Sequence, residues 1–254
     1  MVASGPIIIA VCGKGGVGKT SLSALLVKAL LGKGRILAID ADPAIGFATA
    51  LGVEPGRTVN DIRNDVIDEA EQGLLGNAAD QAIQLDCRVF EAMIERDGYA
   101  FLAIGRPEAE GCYCRVNECL KAVIEALAAK FDYVIIDGEA GIEQINRRVM
   151  GNVTHLLLVS DASAKGANVI KTIKQVADGG MMEYRRAGVI LNRLRNANEA
   201  DRVDLDGMEL LGTVIEDDML RDFDIEERPL LDLPEGRTTQ SLYSILRRFD
   251  VVEG

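Results

Sequence analysis

The chain has 254 residues, of which 48% are hydrophobic, so it can bury a substantial core in one large domain or two small ones. Its formal net charge of −12 argues against a general nucleic-acid-binding protein, which needs a basic surface to displace counterions. The same charge argues weakly against binding to an anionic membrane.

Further features of the composition indicate where the protein works. No apolar run approaches the roughly 20 residues needed to span a bilayer, and the first residues lack the basic segment of a secretory signal. We therefore expect a cytoplasmic protein whose five cysteines are free thiols or metal ligands rather than a disulfide framework.

Short apolar runs bounded by Gly, Asp or polar residues predict buried parallel strands. They cover residues 7–12, 35–40, 99–104, 133–137, 154–160, 187–191 and, with a weaker pattern, 210–214. Helical patterns cover residues 19–31, 116–130, 166–178 and 239–249, and residues 52–97 look largely helical. This alternation predicts an α/β fold made of one domain, residues 1–254, with a mainly parallel sheet of about seven strands and helices on both faces.

A glycine-rich loop follows the first predicted strand and opens a helix. Residues 13–20 read Gly-Lys-Gly-Gly-Val-Gly-Lys-Thr, which fits the phosphate-loop pattern G-x-x-x-x-G-K-[ST] in its required context. Lys19 is expected to reach the β- and γ-phosphates of ATP, and the Thr20 hydroxyl to ligate Mg²⁺. The helix N-terminus and the loop's backbone N–H groups should cradle the phosphates, the loop residues being Gly13, Gly15, Gly16, Val17 and Gly18.

The lysine after the first glycine carries further information. Lys14 creates K-G-G-x-G-K-[ST], which resembles the deviant Walker A motif of MinD, ParA, the nitrogenase iron protein, the arsenical pump ATPase and metal-centre maturation ATPases. The resemblance implies an ATPase that works as an ATP sandwich homodimer, in which Lys14 contacts the nucleotide of the partner. A solvated loop lysine is the alternative interpretation.

Polar residues at three other strand ends point to the same site. Asp42, in Asp40-Ala41-Asp42-Pro43, resembles switch I of this superfamily, which implies that it orients or activates the attacking water and contacts Mg²⁺ through water. Asp40 is equally well explained as structural. Asp137 ends an apolar run typical of a Walker B strand and can hold Mg²⁺. Asn192 resembles the base-recognition Asn, and its carboxamide offers a donor and an acceptor for the adenine N6 and N7 edge.

A C-x-C motif at Cys112 and Cys114 predicts a metal site. In an extended segment the two thiolates point to the same side. A closed structural site normally takes four ligands, so a twofold dimer would supply the other two and hold one metal ion at its interface. Soft thiolates favour metals such as Ni²⁺ or Zn²⁺. The alternative is a pair of reduced cysteines with no ligand.

The residues after Asp137 narrow the resemblance. Gly138-Glu139-Ala140-Gly141 is similar to switch II, with Glu139 where many relatives have Pro. Together with the C-x-C motif, this resembles the CooC-type ATPases that serve nickel insertion into carbon monoxide dehydrogenase, and their acetyl-CoA synthase counterparts. The resemblance covers most of the chain and implies an ATP-dependent metallochaperone whose client is a nickel–iron–sulfur enzyme.

Two alternatives stay open. The first is a MinD- or ParA-like spatial-organisation ATPase acting on membrane or DNA, because residues 241–249 are amphipathic and similar to a membrane-targeting tail. A closing helix packed on the sheet is the simpler interpretation of that segment. The second is an iron–sulfur electron carrier, whose cluster cysteines would come from well-separated loops, a pattern that Cys112 and Cys114 fit poorly.

Overall fold

An eight-stranded sheet forms the centre of the chain in a computed structural model that describes residues 5–74, 78–106, 114–138 and 141–253. The spatial order of the strands is β3-β4-β2-β5-β1-β6-β7-β8. All neighbouring strands are parallel except β3 and β4, which are antiparallel. The strands are β1 (Ile7–Gly13), β2 (Ile36–Asp40), β3 (Ile94–Arg96), β4 (Tyr99–Ala103), β5 (Tyr133–Asp137), β6 (His155–Ser160), β7 (Arg186–Leu194) and β8 (Leu210–Ile215).

Helices cover both faces of the sheet. Because side chains alternate along a strand, Ala10 and Cys12 of β1 join one apolar cluster while Ile9 and Val11 join the other. Within the described residues the helices are α1 (Lys19–Leu30), α2 (Gly46–Leu51), α3 (Val59–Glu71), α4 (Ala78–Ala92), α5 (Cys114–Ala128), α6 (Glu143–Arg148), α7 (Ala164–Val176), α8 (Asp218–Ile225) and α9 (Arg237–Arg248). No helix in this part of the chain is long and apolar enough to cross a membrane.

The predicted fold class is confirmed, with two corrections. The sheet has one strand more than expected, because β3 is only three residues long and lies in the region that reads as helical. Asn192 lies inside β7 rather than after it, since the strand continues past an irregularity in its pairing with β8 to Leu194. The amphipathic C-terminal segment is a packed helix, as its simpler interpretation predicts, and Leu242, Ile245 and Leu246 are buried in the core.

Parallel pairing brings the carboxyl ends of the central strands together. Asp40 at the end of β2 is in register with Asp137 at the end of β5, and Asp137 is in register with Val11 of β1. The loop that follows β1 therefore lies beside both carboxylates. Ligands of open α/β sheets bind at this edge.

Candidate functional site

The loop between β1 and α1 depends on its glycines. Gly16 and Gly18 have φ angles of 80° and 88°, which residues with a Cβ rarely adopt. A Cβ on Gly13 would lie 2.0 Å from the carbonyl oxygen of Val159 in β6. Val17 is buried, so its side chain anchors the loop to the core. The loop thus offers backbone groups to a ligand, as a phosphate cradle requires.

Three side chains meet next to this loop. Thr20 Oγ1 donates to Asp137 Oδ2 at 2.7 Å, and Ser23 Oγ donates to Asp137 Oδ1 at 2.9 Å. Burial raises the pKa of Asp137 to about 6, although the two hydroxyls and the charge of Lys19 act in the opposite direction. Lys19 is itself buried, and its Nζ donates to the carbonyl oxygen of Lys14 at 3.3 Å. A hydroxyl and a carboxylate oxygen side by side are suitable Mg²⁺ ligands, as predicted for Thr20 and Asp137.

Asp40 and Asp42 have different surroundings. Asp40 is fully buried and accepts hydrogen bonds from the backbone N–H groups of Asp42, at 3.1 Å, and Phe47, at 2.9 Å. Burial, followed by the charge of Asp137, raises the pKa of Asp40 to about 7. Asp42 is partly exposed, accepts the N–H of Ala44 at 2.8 Å and lies close enough to raise the pKa of Asp137. Asp40 therefore positions the loop, and Asp42 remains the candidate for orienting water.

Lys14 forms an ion pair within its own chain. Its Nζ lies 3.1 Å from Asp161 Oδ2, with both side chains partly exposed. Asp161, directly after β6, also accepts hydrogen bonds from the backbone N–H and the hydroxyl of Ser163. Although burial acts in the opposite direction, these contacts keep the pKa of Asp161 below its usual value. Contact between Lys14 and the nucleotide of a partner, as the sequence predicts, requires this ion pair to open.

A cavity of about 340 Å³ adjoins the loop on the side away from Asp137's strand. One side is formed by the loop, the first turn of α1 and β7, through Gly18, Ser21, Asn192 and Arg193. The other side belongs to α8, which contributes Leu220, Arg221, Asp224 and Ile225. This volume is within the range of small-molecule sites, and the residue predicted to recognise the base lines the cavity. We call it the base pocket.

Asn192, the residue predicted to recognise the base, lines the base pocket. It is buried, and its Nδ2 donates to the carbonyl oxygen of Val17 at 2.8 Å. This bond uses one of the two N–H donors of the carboxamide. Oδ1 remains as an acceptor, which matches the N6 amino group of adenine and opposes the O6 carbonyl of guanine.

Three contributors to the site were missed in the sequence. Ser23 could have been found, because it lies three residues after Thr20 and therefore on the same face of α1. Arg193 donates from Nη1 to the carbonyl oxygen of Gly16 at 2.8 Å, and Asp161 holds Lys14. These two residues carry no local signal, because the fold brings them from β7 and from the end of β6.

The predicted thiolate site is described only in part. Cys112 lies outside the described residues, as do Glu139 and Ala140 of the predicted switch II. Cys114 is the first residue of α5, so the extended segment assumed for the pair ends there. No group of three or more His, Cys, Asp or Glu side chains able to hold a metal occurs in the part of the chain that the structure describes. The Ni²⁺ or Zn²⁺ site remains a prediction.

The sequence matches a family model described as the CobQ/CobB/MinD/ParA nucleotide binding domain over residues 8–230. An uncharacterized ATP-binding protein of Methanocaldococcus jannaschii is 37% identical over 90% of this chain and 92% of its own length. The septum site-determining protein MinD of Bacillus subtilis is 28% identical over 96% of this chain and 88% of its own. The carbon monoxide dehydrogenase accessory protein CooC of Rhodospirillum rubrum is also 28% identical, but over 66% of this chain and 68% of its own.

Solved structures share the fold. The cell division ATPase MinD of Pyrococcus furiosus superposes with a TM-score of 0.69 at 23% identity, covering 97% of this chain and 99% of the other. The septum site-determining protein MinD of Pyrococcus horikoshii, complexed with Mg-ADP, has a TM-score of 0.67 at 22% identity and covers 98% and 96%.

Proposed function

The chain belongs to the CobQ/CobB/MinD/ParA nucleotide-binding family, and on that premise we propose that it hydrolyses ATP as a nucleotide-dependent homodimer. The observation that carries the proposal is the group formed by the glycine loop, the buried Lys19 and the hydrogen-bonded Thr20 and Asp137. Relatives that are named as ATP-binding proteins support ATP as the nucleotide.

Each residue then has a distinct role in hydrolysis. The loop N–H groups and Lys19 bind the phosphates, and Thr20 and Asp137 would hold Mg²⁺, which neutralises charge on the phosphate oxygens. Asp42, held in place by its backbone hydrogen bond to Asp40, orients the attacking water. Lys14 leaves Asp161 and reaches the nucleotide of the partner, so that hydrolysis is complete only in the dimer.

A steady-state ATPase assay tests this proposal. Lys19→Ala and Asp42→Ala should each lower kcat/KM by about 100-fold or more. The first variant removes the positive charge that binds the phosphates, and the second removes the carboxylate that orients the attacking water. Lys33→Ala, which removes an exposed lysine just beyond α1, is the matched control and should keep the wild-type rate. Equal rates in Lys19→Ala and Lys33→Ala would contradict the proposal.

We propose that the biological role of this ATPase is to deliver metal to a nickel–iron–sulfur client enzyme. The C-x-C motif of Cys112 and Cys114 and the partial similarity to CooC support it. In the dimer two such motifs would supply four thiolates to one Ni²⁺ or Zn²⁺ ion. ATP-driven closure would then couple metal affinity to the nucleotide state.

Anaerobic metal titration tests this purpose. Wild type should bind one Ni²⁺ or Zn²⁺ per dimer, and the Cys112→Ser/Cys114→Ser variant should not bind it. Cys87→Ser/Cys119→Ser is the matched control, because both of these thiols are exposed and lie outside the motif. Equal binding by wild type and the Cys112/Cys114 variant would remove metal delivery and leave the ATPase proposal intact.

A spatial-organisation ATPase is the second candidate function. The similarity to MinD of Bacillus subtilis extends over nearly the whole chain, further than the similarity to CooC. Recruitment to a membrane by residues 241–249 would need α9 to leave the core, since its apolar residues are buried. Co-sedimentation with anionic liposomes in Mg-ATP and in Mg-ADP decides the point: ATP-dependent binding favours this candidate, and no binding in either state opposes a membrane role.

A further inference from the structure

Helix α8 forms one wall of the base pocket, and most of its side chains are exposed rather than packed against the core. Phe223 is the buried side chain of this helix, whereas Met219 and Ile225 are exposed large apolar residues. A second cavity, of about 350 Å³, lies on the other side of the α8 N-terminus. Ile215, Glu216 and Asp217 line both cavities, so close packing does not surround this end of the helix.

The carboxylate of Asp217 joins this end of α8 to α9. Asp217 Oδ1 accepts the N–H of Met219 at 3.1 Å and thereby caps α8. Its other oxygen, Oδ2, accepts the hydroxyl of Thr238 at 2.6 Å. Thr238 is buried near the start of α9, whose apolar residues belong to the core. The Asp217 side chain thus ties α8, whose side chains are mostly exposed, to a helix whose apolar residues are buried in the core.

We propose that Asp217, through Thr238, is a positioning residue that holds the α8 wall of the base pocket and so determines how tightly the base of the nucleotide is bound. The inference rests on the proposed ATPase function and deepens it. Hydrogen bonds to a charged acceptor are stronger than hydrogen bonds between neutral groups. The bond from Thr238 to Asp217 joins α9 to the N-terminus of α8, where cavities lie on both sides. Asp217 lies outside the phosphate loop and outside the Thr20–Asp137 pair, so the reacting phosphates do not depend on it.

Two variants separate the two bonds of Asp217. Thr238→Val is nearly isosteric and removes the bridge to α9 but keeps the cap of α8. Asp217→Ala removes both. Thr238→Ser keeps the donating hydroxyl and should restore wild-type behaviour. Asp218→Asn is the matched control, because it makes a charge change on the neighbouring, exposed residue.

The experiment compares the dissociation constants of ATP and of inorganic tripolyphosphate, which has no base, with KM and kcat for ATP hydrolysis. Thr238→Val should weaken ATP binding and raise KM by about tenfold, with Asp217→Ala affected at least as much. Affinity for tripolyphosphate and the value of kcat should stay at wild-type levels. Thr238→Ser and Asp218→Asn should match wild type throughout.

Three results would overturn the inference. In the first, Thr238→Val and Asp217→Ala bind ATP as wild type does. In the second, their affinities for ATP and tripolyphosphate fall equally, which indicates a general loosening of the fold. In the third, wild type binds ATP no more tightly than tripolyphosphate, so the base pocket contributes nothing while the phosphate loop still works. Wild type that binds neither compound would instead contradict the proposed ATPase function and the inference with it.

Discussion

The buried carboxyl group of Asp40 leads to a specific prediction about stability and pH. Burial, and then the charge of Asp137, raise its pKa from 3.8 to about 7 in the folded chain, whereas the unfolded chain keeps the ordinary value. The folded chain therefore binds this proton more tightly than the unfolded chain. The stabilising contribution is fully present below the unfolded pKa and is lost as the pH rises through about 7.

The size of the effect follows from the two titration curves. As the pH rises from about 5 to about 8, the titration of Asp40 should lower the free energy of unfolding by about 2–3 kcal/mol. Asp40→Asn removes the titration and nearly keeps the size of the side chain, but it turns an amide donor toward one of the two loop N–H groups, at a cost of about 1–3 kcal/mol. We expect the variant to be less stable than wild type at acid pH and to reach or exceed wild-type stability at alkaline pH.

Urea unfolding of wild type and Asp40→Asn at several pH values from about 5 to about 8, without nucleotide or Mg²⁺, measures the difference in their free energies of unfolding. Subtracting the free energy of unfolding of one protein from that of the other at each pH removes the contribution of groups such as His155, whose lowered pKa acts in the opposite direction. Asp218→Asn, on an exposed carboxylate, should follow the wild-type pH profile. A stability difference between wild type and Asp40→Asn that is constant with pH would refute the reasoning.

Three further predictions concern the phosphate loop and the base pocket. Asp161→Asn should promote ATP-dependent dimerisation by up to about fivefold in sedimentation experiments, since a partly exposed ion pair that restrains Lys14 contributes up to about 1 kcal/mol; weaker dimerisation would count against the restraint. Gly18→Ala should lower the free energy of unfolding by about 1–3 kcal/mol and weaken ATP binding, because φ is 88° and the new Cβ would lie 2.6 Å from Asn192 Nδ2. Gly15→Ala, which has open space around it, should leave the free energy of unfolding unchanged when both variants are compared with wild type by thermal unfolding. Asn192→Ala should reduce the preference for ATP over GTP by about tenfold in competition binding, because the Oδ1 acceptor is lost; an unchanged preference would place base selection elsewhere.

The parts of the site that lie on one continuous segment were predictable from the sequence. The loop from Gly13 to Thr20 combines a strand, a run of glycines and a helix start, and the steric need for Gly13, Gly16 and Gly18 is visible in the structure. Asp137 was predictable for a related reason, because an apolar strand ending in a carboxylate is a local pattern. The main strands followed from the same local reasoning, and the short antiparallel β3 did not.

The contacts between segments were not predictable in the same way. The ion pair of Lys14 with Asp161 joins residues 147 positions apart, and the bond of Asn192 to Val17 joins residues 175 apart. Their partners depend on strand order and on the irregular pairing of β7 with β8. The amide orientation of Asn192, which selects the acceptor for the base, follows from such a long-range contact.

A complementation assay tests the central claim, an ATPase whose site is completed by Lys14 of the partner. Lys14→Ala and Asp42→Ala are each inactive alone in this account, and they are mixed in equal amounts with Mg-ATP. Random pairing makes half of the dimers mixed, and each mixed dimer has one complete site, so activity should return to about a quarter of the wild-type rate. No recovery in a mixture that still forms dimers by sedimentation would contradict the claim, because it would place Lys14 and Asp42 at the same nucleotide from the same chain.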